Sequence, residues 1–397
     1  MLPAPPVARN PEVGEARGRL LDVASVFAKL GLVGFGGPAA HVALMEDEVV
    51  RRRGWLSRQR FLDLVGATNL IPGPNSTEMA IHVGHLRAGW AGLVVAGVCF
   101  IAPAFLIVLG CAWAYVRFGT LPAASGLLYG IKPVIIAVVL QALWGLGRAA
   151  TRTRAITAVG FVSLVAVAAG VHELVVLLAA GVVLAVRRWA GEARAARTAP
   201  GLLPLLPLLA GVGGLGAAPF GLGPLFLFFL KVGSVLFGSG YVLLAFLRAD
   251  LVGRWGWLSE AQLLDAVAVG QLTPGPVFTT ATFIGYLLGG LPGAAVSTVG
   301  IFLPAFVFVA LSGPLVPRIR RSPVAGAFLD GVNVASIALM ALVTAQLARA
   351  AIIDVPTLAI AVASAALLIR LRVNSAWLAL GGALVGVVLG PEQPRSH

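Results

Sequence analysis

Charge is what this chain has least of: Asp, Glu, Lys and Arg together make up 11% of its 397 residues, where an ordinary soluble domain carries about 25%. That scarcity, set beside 59% hydrophobic residues, excludes a soluble globular fold. Lysine is the rarest charged residue, present only as Lys29, Lys132 and Lys231. Cysteine is nearly absent, and Cys99 and Cys111 would stand about 18 Å apart on one helix, so no disulfide framework is implied. The short alternating segments of a β-barrel are missing. So are acidic clusters able to compensate a divalent cation in lipid, and no metal site or cofactor is expected.

What is present is a series of uncharged runs, such as Gly89 to Val116, Ile156 to Val171 and Thr357 to Ile369. A bilayer span needs about 20 apolar residues, so the length allows roughly ten crossings. Lipid offers no partner to open backbone groups, which leaves helices as the reading. The net charge of +13 would point to nucleic acid in a soluble protein. Here the arginines lie between apolar runs and act as topology signals, and no nucleic-acid partner is expected. The chain reads as an all-α polytopic membrane protein whose solvent is the lipid bilayer. Residues 1–19 lack the apolar core of a cleavable signal and read as a polar N-terminal tail.

The second half of the sequence repeats the first at an offset of 202. Lys29 meets Lys231, Gly31 meets Gly233, Gly54-Trp55-Leu56-Ser57 meets Gly256-Trp257-Leu258-Ser259, and Pro72-Gly73-Pro74 meets Pro274-Gly275-Pro276. Between Lys29 and Pro74, 19 of 46 positions are identical. After one deletion the offset becomes 201, aligning Gly89 with Gly290 and Pro103-Ala104-Phe105 with Pro304-Ala305-Phe306. The expected organisation is a first repeat over 20–190, a cytoplasmic linker over 191–201, and a second repeat over 202–397 led by an extra apolar segment, Leu202 to Ala217.

Arginines in corresponding loops alternate between the halves. Loop 51–60 holds five and its partner around 253–262 holds only Arg254, whereas 117–126 has only Arg117 and 315–323 has Arg318, Arg320 and Arg321. The cytoplasmic side takes the positive excess, so the two halves are expected in inverted topology, a feature of many secondary transporters. A parallel repeat would have put arginines in the same loops of both halves.

Each half opens with two apolar segments interrupted in their centres. In the first half the breaks are Gly34-Phe35-Gly36-Gly37-Pro38 and Pro72-Gly73-Pro74-Asn75-Ser76; in the second they are Gly238-Ser239-Gly240 and Pro274-Gly275-Pro276. Proline removes a donor and glycine accepts left-handed angles, so each motif ends one half-helix and starts another, in broken or re-entrant form. New helix N-termini expose free N–H groups and partial positive charge. Pointed at the bilayer middle from both halves, they would cage an anion. Asn75, Ser76 and Thr77, with Thr273, Thr279 and Thr280 opposite, add side-chain donors. Gly and Pro also occur in membrane helices merely to permit kinks or close packing. Four breaks placed symmetrically favour the binding reading.

Lys29 and Lys231 lie in apolar runs, where a lysine is costly and by default functional; snorkelling from a helix end is the rival account. Glu78, His82 and His85 share helical spacing, but the second half has no matching set, which argues against a metal site. Glu78, Asp63 and Asp265 are the candidates for coupling-ion duty. For the two aspartates a structural account is at hand, since each sits in the early turns of a helix capped by Ser57 or Ser259. A membrane-embedded hydrolase would need a nucleophile with its base, or paired aspartates, at membrane depth; Ser76 with His82 is a formal possibility, but no such constellation stands out, so the chain is not read as an enzyme. A passive anion channel fits the same sequence and is separated from a carrier by counterflow.

The stretches Phe27-Ala28-Lys29-Leu30-Gly31, Gly34 to His41, Gly54 to Ser57 and Pro72 to Glu78 resemble the chromate ion transporter family in its long duplicated form, over nearly the whole chain. The resemblance implies a multi-pass carrier of the bacterial inner membrane that exports chromate and confers resistance, driven by the proton-motive force or by exchange. It also implies sulfate, another tetrahedral dianion, as an alternative substrate. A homodimer is compatible with this architecture. Substrate contacts carry over most firmly onto Gly36, Gly37, Pro38, Pro72, Gly73, Pro74 and Asn75, with His41, Ser76 and Thr77 beside them. Their counterparts diverge: Gly240 replaces Pro38, Leu243 replaces His41 and Val277 replaces Asn75. Lys231, Gly238, Ser239, Pro274, Gly275 and Pro276 would complete the cage.

Overall fold

The computed structural model describes residues 11–35, 37–119, 121–150, 153–195, 219–236, 243–320, 322–371 and 373–389. Gly36, Gly238, Ser239 and Gly240 lie outside these residues, as do the junction 196–201 and the apolar run 202–217. Among the described residues there are fourteen α-helices and no strands. The first repeat holds α1 (Pro11–Val33), α2 (Gly37–Met45, widening into a π-helix over Glu46–Arg52), α3 (Arg58–Thr68), α4 (Asn75–Phe118), α5 (Pro122–Ala150), α6 (Arg154–Ala168) and α7 (Glu173–Ala195). The second holds α8 (Leu222–Val235), α9 (Leu243–Phe246, continued by a π-helix over Leu247–Arg254), α10 (Glu260–Leu272), α11 (Thr280–Arg320), α12 (Pro323–Ala351), α13 (Val355–Ala366) and α14 (Ser375–Leu389). The polar leader is helical from Pro11 onward.

A helix ends at three of the expected interruptions, and another ends ahead of the fourth, whose own residues Gly238-Ser239-Gly240 lie outside the described ones. α1 stops at Val33, α3 at Thr68, α8 at Val235 and α10 at Leu272. Ser57 accepts the Arg60 N–H, and Ser259 forms a full capping box with Gln262. Both serines therefore start the helices that carry Asp63 and Asp265, as the sequence indicates.

Among the described residues five helices are long and apolar enough to cross a membrane by length and composition, α4, α5, α7, α11 and α12. Two of them are not single rods. In α4 the backbone reverses at Ala88 (φ −141°, ψ 26°) and Gly89 (φ 63°, ψ −151°), and α11 repeats this at Gly289 (φ −142°, ψ 22°) and Gly290 (φ 60°, ψ −151°). A Cβ on Gly84 would strike the carbonyl of Gly92, and one on Gly285 that of Gly293. The hydroxyls of Thr282 and Thr298 lie 2.8 Å apart. In a straight helix residues at that spacing stand about 24 Å apart. Each long helix is thus a hairpin, with a short arm (75–88 or 280–289) folded back on a long arm (89–118 or 290–320). Small residues let the two backbones touch.

The long arms also receive the first helix of each repeat. Gly31 of α1 faces the Phe100 carbonyl, and Gly233 of α8 faces that of Ile301. Phe27, Phe61 and Phe100 fill the core of the first repeat; Phe228, Phe229 and Phe283 belong to the larger cluster that joins both.

Candidate functional site

Two backbone bonds join the regions of the interruptions across the repeats. Gly73 donates its backbone N–H to the Leu236 carbonyl at 2.7 Å, and Gly275 donates to the Gly34 carbonyl at 2.8 Å. Under the offset of 202, Gly73 corresponds to Gly275 and Gly34 to Leu236. The Pro-Gly-Pro turn of each repeat is therefore tied to the first interruption of the other. Both glycines need positive φ, +137° at Gly73 and +92° at Gly275, a conformation other residues rarely adopt.

Around these interruptions the predicted residues gather unevenly. His41, Ser76, Thr77 and Glu78 are buried in the first repeat, and Thr279 and Thr280 in the second. Pro72, Gly73, Pro74, Pro274, Gly275 and Pro276 form the turns themselves. Gly37 and Pro38 begin α2, and the His41 ring nitrogen Nε2 lies 2.9 Å from the Gly34 carbonyl. Thr273, Thr279 and Thr280 spend their hydroxyls on carbonyls of their own segment, those of Val269, Pro276 and Val277.

The first repeat differs. Asn75 donates to Asn69 at 2.7 Å, but Asn75 Oδ1, Thr77 Oγ1 and both carboxyl oxygens of Glu78 have no hydrogen-bond partner among the described residues. Four buried oxygens on one helical turn thus stand unsatisfied. The turn is also an N-terminus without a side-chain cap, because Pro74 precedes it. Thr77 and Glu78 donate their N–H groups to the Pro74 carbonyl at 2.8 and 3.0 Å, so the leading N–H groups left without an intrahelical acceptor are those of Asn75 and Ser76, and the partial positive charge there favours an anion.

The chromate transporter family model matches residues 21–185 and again 223–387. The chain belongs to the chromate transporter family. It is 33% identical to the chromate transport protein of Cupriavidus metallidurans over 94% of each chain. The probable chromate transport protein of Synechococcus elongatus is 32% identical, over 85% of this chain and 87% of that one. For the chromate transport protein of Pseudomonas aeruginosa the identity is 32%, over 84% and 82%. No solved structure matches the chain. Family and apolar helices together make this a multi-pass membrane protein.

Within this member of the chromate transporter family the two symmetric lysines are ion-paired. Lys29 reaches Glu48 at 3.2 Å and Lys231 reaches Asp250 at 2.7 Å. Glu48 and Asp250 are equivalent positions, nineteen residues after their lysines, so each pair clamps the two limbs of one hairpin. The clamps are unequally buried: the Lys29 side chain is 53% exposed and that of Lys231 only 8%. Arg53 adds a 2.9 Å bond to Glu48 and Arg254 a contact to Asp250. The Arg53 bond, with Lys29 beside it, holds the Glu48 carboxyl below the usual carboxylate range.

Asp265 is joined across the repeats: Lys132 of α5 pairs with it at 2.9 Å and the Tyr115 hydroxyl donates to it at 2.9 Å. These three residues line a cavity of about 230 Å³ with Tyr129 and Ile353. His82 approaches Ser312 of α11 at 3.4 Å, not Ser76, and the His85 ring lies against Trp90. Sequence reasoning missed the acidic partners of the lysines, although the acids recur in both repeats. It also missed the helix reversals, although Gly84, Gly92 and Gly89 recur as Gly285, Gly293 and Gly290.

Proposed function

We propose that the protein is a secondary carrier that moves chromate out of the cell across the bacterial inner membrane, with the oxyanion held where the interruptions of the two repeats meet. The observation that carries this reading is the reciprocal pair of bonds from Gly73 and Gly275. They tie each Pro-Gly-Pro turn to the first interruption of the other repeat, which brings the breaks of both repeats to one region. Backbone N–H groups suit a tetrahedral dianion because they add no lysine or arginine whose release would slow unloading. Turn 75–78 supplies the donors, the leading N–H groups of Asn75 and Ser76 and the unpartnered Thr77 hydroxyl, and the second repeat, with its threonines self-bonded, completes the shape.

Inverted repeats fit this reading. The late residue Tyr115 of α4 packs on the early residue Phe283 of α11 at 5.2 Å between rings. Late Ser312 of α11 meets early His82 of α4, and Gly97 sits against Phe306. Two of these contacts join the end of one repeat's long arm to the short arm of the other, and an antiparallel arrangement of the equivalent α4 and α11 would make all three, placing the halves upside down to each other. Alternating access would then follow from rocking one repeat against the other. Lys29 and Lys231 set the hairpin limbs, and Lys29, the more exposed, also draws the anion inward.

Counterflow tests the carrier. Proteoliposomes preloaded with unlabelled chromate should accumulate labelled chromate transiently above equilibrium. Simple equilibration would mark a channel, and no flux would remove the reading. Everted vesicles energised by respiration should accumulate chromate if transport is outward, and sulfate competition reports the substrate range.

A further inference from the structure

Glu78 stands out among the described residues as a buried carboxyl group with neither oxygen bonded. It is 0% exposed, and neither carboxyl oxygen has a hydrogen-bond or ion-pair partner among the described residues. It occupies the first turn of the short arm 75–88 and is aimed back into the Pro-Gly-Pro turn, where its Oε1 takes the space that a Cβ on Gly73 would need. A carboxyl group thus sits inside the locus assigned above to an oxyanion, on the helix end whose leading N–H groups, those of Asn75 and Ser76, would bind one.

The ionisable groups around it offer no compensation. His82 lies one turn further along the same arm and faces Ser312. Lys29 on α1 is engaged by Glu48, and Asp265 on α10 by Lys132. α3 brings Arg60 and Asp63, and α2 brings His41, which faces Gly34. None of them bonds to either oxygen of Glu78. A negative carboxylate here would compete with a dianion for the same N–H groups and repel it, since two like charges at one site disfavour each other. With a proton on the carboxyl, the group becomes a neutral O–H donor able to hydrogen-bond the oxyanion.

Resting on the oxyanion site proposed above, we propose that Glu78 is a proton site obligatorily linked to the substrate: chromate and one proton bind together, and the carboxylate takes the anion's place when both leave. The proton comes from solvent on the side facing the open site and returns to solvent with substrate release. No covalent bond other than the carboxyl O–H forms or breaks. The linkage is reciprocal, so protonation raises chromate affinity by the factor by which chromate raises proton affinity. The same site in the second repeat carries Thr280, whose hydroxyl is bonded to Val277, so one proton per transport cycle is expected.

The test is proton uptake on chromate binding, measured with the full-length protein in weakly buffered detergent at alkaline pH, where chromate is already a dianion. Wild type should take up close to one proton per chromate bound. Glu78→Gln should bind chromate with no uptake and with an affinity that no longer changes with pH, while Glu78→Asp should keep the uptake. Chromate binding by wild type without proton uptake, or dependent on sodium instead, overturns the proposal while leaving the oxyanion site standing. Undiminished uptake in Glu78→Gln overturns it too. Absence of chromate binding in folded wild-type protein removes the site itself, and the proposal with it.

Discussion

Gly73 and Gly275 hold equivalent places in the two repeats, and each donates its backbone N–H into the other one, to Leu236 at 2.7 Å and to Gly34 at 2.8 Å. The molecule is therefore stitched at the proposed site by main chain, where mutation of a side chain cannot easily reach. Segments that share two such bonds cannot move independently, which suits a site opened by moving whole bundles.

Replacing Gly275 by Ala demands an unfavourable φ of +92° and presses the new Cβ against Ala104 Cβ at 2.6 Å. Strain of this kind costs about 1–3 kcal/mol, before any displacement of the turn. Gly275→Ala should therefore lower the melting temperature in detergent and abolish chromate flux in proteoliposomes. Gly54→Ala is the control, since it too has positive φ but meets nothing within 4 Å. It should lose a comparable backbone increment and keep its flux; if both variants transport normally, the interruptions are not the site.

The hairpin reversal gives a second expectation. At Gly84 and Gly285 the facing backbone leaves no room for a side chain, so Gly84→Leu and Gly285→Leu should prevent the short arm from closing and yield aggregated protein on size-exclusion chromatography. Gly110→Leu, on the long arm with open space around it, should elute as wild type.

These reversals also mark the limit of what the sequence discloses. Charge scarcity, the repeat offset and the Gly-Pro breaks were enough to read a helical membrane protein with two halves and interrupted segments, because each follows from local chemistry. Whether a break kinks a helix or turns it back depends on what the second limb packs against. That is a long-range question which Ala88-Gly89 alone does not answer. For the same reason Lys29 reads as an unpaired intramembrane charge until the fold brings Glu48 to it. The buried oxygens of Glu78, Thr77 and Asn75 were visible as polar residues, but their lack of partners is a property of packing.

Lys29 and Lys231 should respond differently to neutralisation. Lys231 and Asp250 are both nearly inaccessible, so Lys231→Gln leaves a buried carboxylate with Arg254 alone and should lower stability by about 3 kcal/mol. Lys29→Gln leaves Glu48 held by Arg53 near a half-open surface, where an ion pair is worth under about 1 kcal/mol. It should fold as wild type, and a several-fold rise in KM for chromate flux is the expected outcome. Unchanged transport kinetics in well-folded Lys29→Gln would limit that lysine to holding its hairpin.

Acid should loosen the first hairpin through Glu48. Its carboxyl is held low by Arg53 and Lys29, so its contribution to stability is complete above the unfolded pKa, about 4.3, and disappears as pH falls through the lower folded value. Glu48→Gln should thus be less stable than wild type at neutral pH. The difference should close in acid, read as melting temperature against pH.

Lys132 and Asp265 join the repeats beside the 230 Å³ cavity, and only a double-mutant cycle separates the bond from its cost. Lys132→Met strands Asp265 with the Tyr115 hydroxyl as its remaining partner. Removing one member of a buried pair costs about 3–5 kcal/mol, whereas replacing both by neutral groups is often close to harmless. Lys132→Met should therefore destabilise strongly, Asp265→Asn likewise, and the double variant should recover most of the loss in thermal unfolding. If transport recovers along with stability, the pair is a strut between the halves. If the double variant is stable but fails in counterflow, the pair also takes part in opening the cavity, because its charges are then needed for motion and not for folding.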